Sequence, residues 1–186
     1  MKKNIILKGK LINLRPLALK DAPNFCKWFE DPEVSMFISL RGRGAPSLKQ
    51  EKEWINNNLK TKDNAYFCIE TKEHEHIGSV SLMHIDLRHK NAEFGISIGN
   101  KRYWGQGMGT EATKKMLDYG FKKLKLHRIG LQVIAYNFRA QRTYEKSGFV
   151  YEGRLRDKMY FNGHWHDMIM MGILREEWDR TRRVGK

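Results

Sequence analysis

The stretch Trp104-Gly105-Gln106-Gly107-Met108-Gly109, running straight into Thr110-Glu111-Ala112, decides how the rest of the chain is read. Glycines at alternating positions let the backbone adopt positive φ and leave N–H groups bare to a ligand. Ala112, Met116, Leu117, Phe121 and Leu124 then recur at helical spacing, so the turn feeds a long helix with an inward face. A helix start offers unpaired N–H donors and the positive end of the dipole, a combination suited to a pyrophosphate. Two phosphate loops do not fit. A P-loop needs Gly-Lys-Ser/Thr, whereas Gly109 is followed by Thr110-Glu111. A dinucleotide fingerprint needs G-x-G-x-x-G early in a βαβ unit, whereas the spacing here is G-x-G-x-G after a hairpin. Alone, the turn is either a phosphate cradle or an ordinary glycine-rich connection.

A second pattern lies downstream: Val133-x-x-x-Asn137-x-x-Ala140-x-x-x-Tyr144-x-x-x-Gly148-Phe149. It reads as a strand, an Asn that caps a short helix, a small residue at a close contact and a Tyr one turn later. Gly148 ends that helix and Phe149 starts the next strand. The two motifs, in this order and spacing, resemble the GNAT acyl-CoA N-acetyltransferase superfamily. The branch is that of ribosomal-protein N-acetyltransferases and bacterial spermidine N-acetyltransferases. The resemblance runs from Leu14-Arg15-Pro16-Leu17 to the tail strand, and its specific part is Ala92 to Phe149.

The resemblance implies an α+β fold, a mixed and mostly antiparallel sheet flanked by helices, with acetyl-CoA as co-substrate. It puts the pantetheine arm on Ile96, Ser97 and Ile98, and the pyrophosphate on Trp104, Gly105, Gln106, Gly107, Met108, Gly109 and Thr110. Many relatives begin that loop with Gln or Arg; Trp104 departs from the pattern, so the loop's role here rests on backbone donors. Asn137 matches an asparagine that contacts the pantetheine arm, a role compatible with capping. Arg139 and Arg142 are either adenosine-phosphate contacts or a solvated helix face.

Tyr144 matches the general acid of similar enzymes. Amine attack on a thioester expels a thiolate, whose thiol has a pKa near ~8.5 against ~10 for a phenol, and a positioned phenol can protonate it. The base is open. Glu93 begins the strand that lines the cleft, where relatives place a carboxylate or a water chain; His127 and His84 are alternatives. A backbone N–H can also hold the oxyanion without any side chain. For the amine, Glu30, Asp31 and Glu33 form an acidic cluster suited to a polyamine or an N-terminus, while Arg41 and Arg43 nearby oppose a polycation.

Around the motifs, Leu11, Ile12 and Leu14 read as a strand ending at Arg15-Pro16. Asp21 caps a helix that Asp31-Pro32 breaks, and Ser47-Leu48-Lys49-Gln50 has the spacing of a capping box. Strands are expected over Ala65–Glu70, Ile77–Leu87, Ala92–Gly99 and Arg128–Tyr136, with a closing hairpin around Asn162-Gly163. Elements mix without regular βαβ alternation, which independently favours α+β.

The 186 residues fit a single domain spanning the chain, with a basic tail from about residue 175 expected to fray. The 40% hydrophobic content excludes a disordered chain, and no apolar run is long enough to cross a membrane or serve as a signal-peptide core. Cys26 and Cys68 have neither metal-ligand spacing nor a disulfide framework, which fits a reducing cytoplasm; His164-x-His166 lacks a third ligand, so no metal is expected. A net charge of +14 draws polyanions, so association with ribosomes is one expectation and a solvated surface the other. The family's frequent homo-oligomerisation is implied too, although no interface stripe stands out. The alternative to an enzyme is a non-catalytic acyl-CoA- or RNA-binding protein on the same fold.

Overall fold

The computed structural model describes residues 6–38 and 44–184. Arg41 and Arg43 lie outside the described residues. Among these, the chain forms one eight-stranded sheet in the order β1-β2-β3-β4-β5-β6-β8-β7. The strands are β1 (Leu7–Lys8), β2 (Ile12–Pro16), β3 (Ala65–Thr71), β4 (His76–Asp86), β5 (Asn91–Ile98), β6 (Arg128–Ile134), β7 (Val150–Phe161) and β8 (His164–Leu174). Every neighbouring pair is antiparallel except β5 with β6.

The helices are α1 (Ala22–Glu30), α2 (Pro32–Ile38), α3 (Leu48–Lys60), α4 (Met108–Asp118), α5 (Phe138–Glu145) and α6 (Arg175–Val184). No helix among the described residues is long and apolar enough to cross a membrane. Ser47 starts α3 through a reciprocal box: Gln50 N donates to Ser47 Oγ at 3.3 Å and Ser47 N to Gln50 Oε1 at 2.9 Å. α4 buries Ala112, Met116 and Leu117, then widens into a π-helical turn over Tyr119–Lys123. That turn carries Phe121, fully buried, into the main core.

The expected frayed tail is corrected. α6 is docked: Trp178 is buried, its ring 5.1 Å from that of Phe121. Arg175 donates to the Leu126 carbonyl at 3.0 Å and to the Phe121 carbonyl. Basic spacing in the sequence hid one aromatic anchor. Asp21 also departs from its expected use, because its carboxylate does not cap α1. It accepts from Arg15 at 2.6 and 2.9 Å, from the Ala18 amide at 2.8 Å and from the Cys68 thiol at 3.1 Å. Burial opposes ionisation there, but these donors hold the Asp21 carboxyl below its ordinary range.

Candidate active site

β5 and β6 pair over three positions only, Asn91 with Arg128, Ala92 with Ile129 and Glu93 with Gly130. β5 then follows β4 to Ile98, while β6 follows β8 to Ile134. The two strands therefore part after Glu93, and the gap opens a cleft of about 1740 Å³. A drug-sized ligand fills a pocket of roughly 300–1,000 Å³, so the cleft has room for two reactants side by side.

The turn at the cleft floor is built as its glycines demand. Gly105 and Gly107 sit at φ 76° and 80°, and Gly107 caps α4 from the left-handed region. No carbonyl among the described residues accepts from the amides of Gly105 through Thr110; the first helical bond there runs from Glu111 N to Gly107 O. These are free donors at a helix start, the arrangement an anion requires. Ile96, Ser97 and Ile98 line the cleft beyond the fork. Trp104 donates its indole N–H to the Ile98 carbonyl at 2.7 Å, and the Arg139 guanidinium stacks 3.6 Å from its ring. Its side chain thus ties the strand end to α5, and Gln106, which points away to the Arg102 carbonyl, leaves the loop to its backbone. Arg139, Arg142 and Lys146 make this side of the cleft positive.

Asn137 lines the cleft and caps α5, accepting from the Ala140 amide at 3.2 Å. Tyr144 follows on the inner face, 7% exposed and edge-on to Phe94 with ring centroids 6.0 Å apart. It lines the cleft, and burial pushes its phenol above the ordinary range, so the group stays protonated. Glu93 stands at the fork on the same wall system, and its charge adds to burial in raising the Tyr66 phenol.

Other sequence expectations fall elsewhere. His84 and His127 are exposed and neither lines the cleft. Glu30 is exposed, while Asp31 and Glu33 hold Lys101 at 2.7 and 3.0 Å; none of the three lines the cleft. The carboxylates at the cleft wall are Glu51, Glu53 and Glu93. Glu51 went unseen in the sequence because it sits inside a polar run, Lys49-Gln50-Glu51-Lys52-Glu53, that reads as a solvated helix face. Its only signal was the spacing to Trp54 and Ile55, three and four residues on. A cluster that spacing could not show is Asp21, Cys68 and His76, whose ligand atoms lie within 4.8 Å of one another. Arg15 and the Cys68 thiol occupy Asp21, and burial with the Asp21 charge raises that thiol well above its usual range. Asn24 and the Gly78 carbonyl take the two His76 nitrogens. The cluster is a closed hydrogen-bond network.

Known proteins share this architecture. The family model described as an acetyltransferase (GNAT) domain matches residues 12–150. The spermidine N(1)-acetyltransferase of Vibrio cholerae is 32% identical over 151 residues, 81% of this chain and 80% of that protein. The putative ribosomal N-acetyltransferase YdaF of Bacillus subtilis is 34% identical over 102 residues, 55% of each chain. The crystal structure of spermidine N-acetyltransferase from Vibrio cholerae in complex with CoA and spermine superposes with a TM-score of 0.84. It is 28% identical and covers 91% of this chain and 99% of that one. With a family match over most of its length and a forked sheet leading to a glycine-rich helix start, the chain belongs to the GNAT family of N-acetyltransferases.

Proposed function

We propose that the protein transfers the acetyl group of acetyl-CoA to a primary amine by direct attack within a ternary complex, with Tyr144 as general acid. Acetyl-CoA supplies an activated thioester, which the amine converts to an amide with loss of the thiol. The observation that carries this reading is the phenol of Tyr144, buried yet on the wall of the same cleft as the free amides of Gly105–Thr110. The residues fit the co-substrate. The free amides suit its pyrophosphate, the forked strand edge over Ile96–Ile98 suits its amide-bearing arm, and Arg139, Arg142 and Lys146 suit its remaining phosphate.

Tyr144 holds the proton that the sulfur needs. An ordinary phenol is already a weaker acid than a thiol, by about 1.5 pH units, and burial of Tyr144 widens that gap, so its proton passes to sulfur only as the C–S bond breaks and negative charge develops there. Glu93, at the fork, receives the amine's proton directly or through water. A bare N–H of the β5 edge holds the oxyanion.

The buried and half-buried carboxylates of the cleft, Glu51 and Glu93, support a cationic acceptor, a polyamine or other small amine, and the spermine-bound neighbour supports the same class. A protein N-terminus is the second reading, favoured by the likeness to YdaF and by a net charge of +14 that would aid docking on ribosomes. Two unbridged cysteines support action in a reducing cytoplasm. The test is thiol release from acetyl-CoA against a panel of spermidine, spermine, an aminoglycoside and peptides with ribosomal-protein N-termini. Release with the polyamines is expected. Release with the peptides alone would shift the acceptor to the N-terminus, and CoA binding without release on any amine would support a binding protein instead.

A further inference from the structure

Among the described residues, Glu51 is the one acidic side chain that lines the cleft while being almost wholly withdrawn from solvent, at 5% exposure. Glu53 and Glu93 in the same walls are exposed and half-buried. The buried acids elsewhere have partners: Asp21 has Arg15, and Glu70 has Arg15 and His74. Glu51 has no ion pair and no side-chain hydrogen bond among the described residues. A buried carboxyl without a cation holds its proton instead of its charge, and a cation that reaches it through the cleft is what makes the charged form favourable. Burial alone raises this carboxyl to about 7, and an ammonium beside it would restore the charge.

Its position says which cation. α3 packs on α1 and on the Leu19–Asp21 turn, whereas α5, with Tyr144, packs on α4. Glu51 and Tyr144 thus face the cleft from different walls. The amine that reacts must lie beside Tyr144 and be neutral at the moment of attack. A group held on the α3 wall is a different one, and it can stay charged. On the same side as Glu51, Trp54 of α3 and Phe29 of α1 present apolar surface to the cleft, and the Trp54 ring meets Tyr66 at 5.1 Å. An alkyl chain lies well on such a surface.

We propose that Glu51 is the counter-ion for a second, non-reacting ammonium of the acceptor, so that the cleft selects alkyl diamines over monoamines. The inference rests on the proposed amine acetylation for its second ligand, but its test needs no turnover. With CoA bound, 1,4-diaminobutane and n-butylamine are titrated calorimetrically into the wild type, Glu51→Gln and Glu53→Gln. The wild type is expected to bind the diamine at least tenfold more tightly. Glu51→Gln should lose that preference while keeping CoA affinity and a thermal midpoint at pH 8 no lower than wild type, because a merely structural carboxylate would lower both. Glu53→Gln should retain the preference. A preference that survives in Glu51→Gln, or that vanishes only in Glu53→Gln, overturns the proposal. Diamine selectivity through Glu51 without acetyl transfer to any amine would refute the proposed function and leave this inference standing.

Discussion

The two walls of the cleft are made in different ways. The floor at Gly105–Thr110 is backbone: two left-handed glycines, a row of unspent amides and a helix start. The α3 wall is side chain: a carboxylate, aromatic rings and the interior of a polar helix. A backbone site tolerates any residue that keeps its dihedral angles, so the side chain of Trp104 is free to serve another purpose, the link to Ile98 and Arg139. A side-chain site changes with each substitution. In the proposed function the first wall holds the co-substrate, and the second selects the acceptor.

That division can be broken by experiment. The largest effect should come from Tyr144→Phe, which keeps ring packing against Phe94 and Phe149 and deletes only the hydroxyl that carries the proton. Loss of a general acid should lower kcat by about 10²–10⁴-fold with little change in CoA affinity. Steady-state kinetics with a CoA titration separates the two. Trp178→Ala should act on neither wall, since among the described residues none of α6 lines the cleft. Removing a buried ring from Phe121 should cost about 3–5 kcal/mol in urea unfolding while leaving the CoA dissociation constant of the folded protein unchanged.

The third effect is one of pH. Native Glu51 keeps its proton up to about 7, whereas the unfolded chain releases it near the ordinary 4.5. Between those values the native state binds more protons, so stability contributed below pH 4.5 is lost as pH rises through 7, by about 3 kcal/mol at most. Unfolding midpoints of the apoprotein at pH 5 and pH 8 should show this fall, and Glu51→Gln should flatten it. The smallest effect expected is that of Gly107→Ala. A Cβ at φ 80° costs about 1–2 kcal/mol, which the free loop escapes by leaving that dihedral and CoA must restore on binding, so CoA affinity should drop about tenfold while the diamine preference is untouched. A diamine preference lost along with CoA affinity would mean the walls are not independent.

What the sequence showed and what it hid follow the same line. Features written in consecutive residues were legible: the Gly105/Gly107 turn, the Asn137 cap, the Ser47–Gln50 box and the break at Asp31-Pro32. So was the sheet order around the β4–β5 hairpin. Features made by residues distant in the chain were not. Asp21 looked like a cap because nothing local says that Arg15 and Cys68 will claim it. The tail looked like a charged end because Trp178 needed Phe121, 57 residues earlier, to become a core residue (178 − 121 = 57). Glu51 looked solvated because its burial depends on how α3 settles against α1 and the sheet. Lys101, which takes Asp31 and Glu33, was equally beyond the reach of local spacing.

In the proposed reaction this cleft moves an acetyl group to an amine with Tyr144 delivering the proton. The most direct measurement is single-turnover acetyl transfer to spermidine by wild type and Tyr144→Phe, each preloaded with acetyl-CoA and each shown to bind CoA equally. Rapid amine-dependent thiol release is expected in the wild type, and a rate lower by about 10²-fold or more in Tyr144→Phe. Equal rates in the two proteins would contradict it.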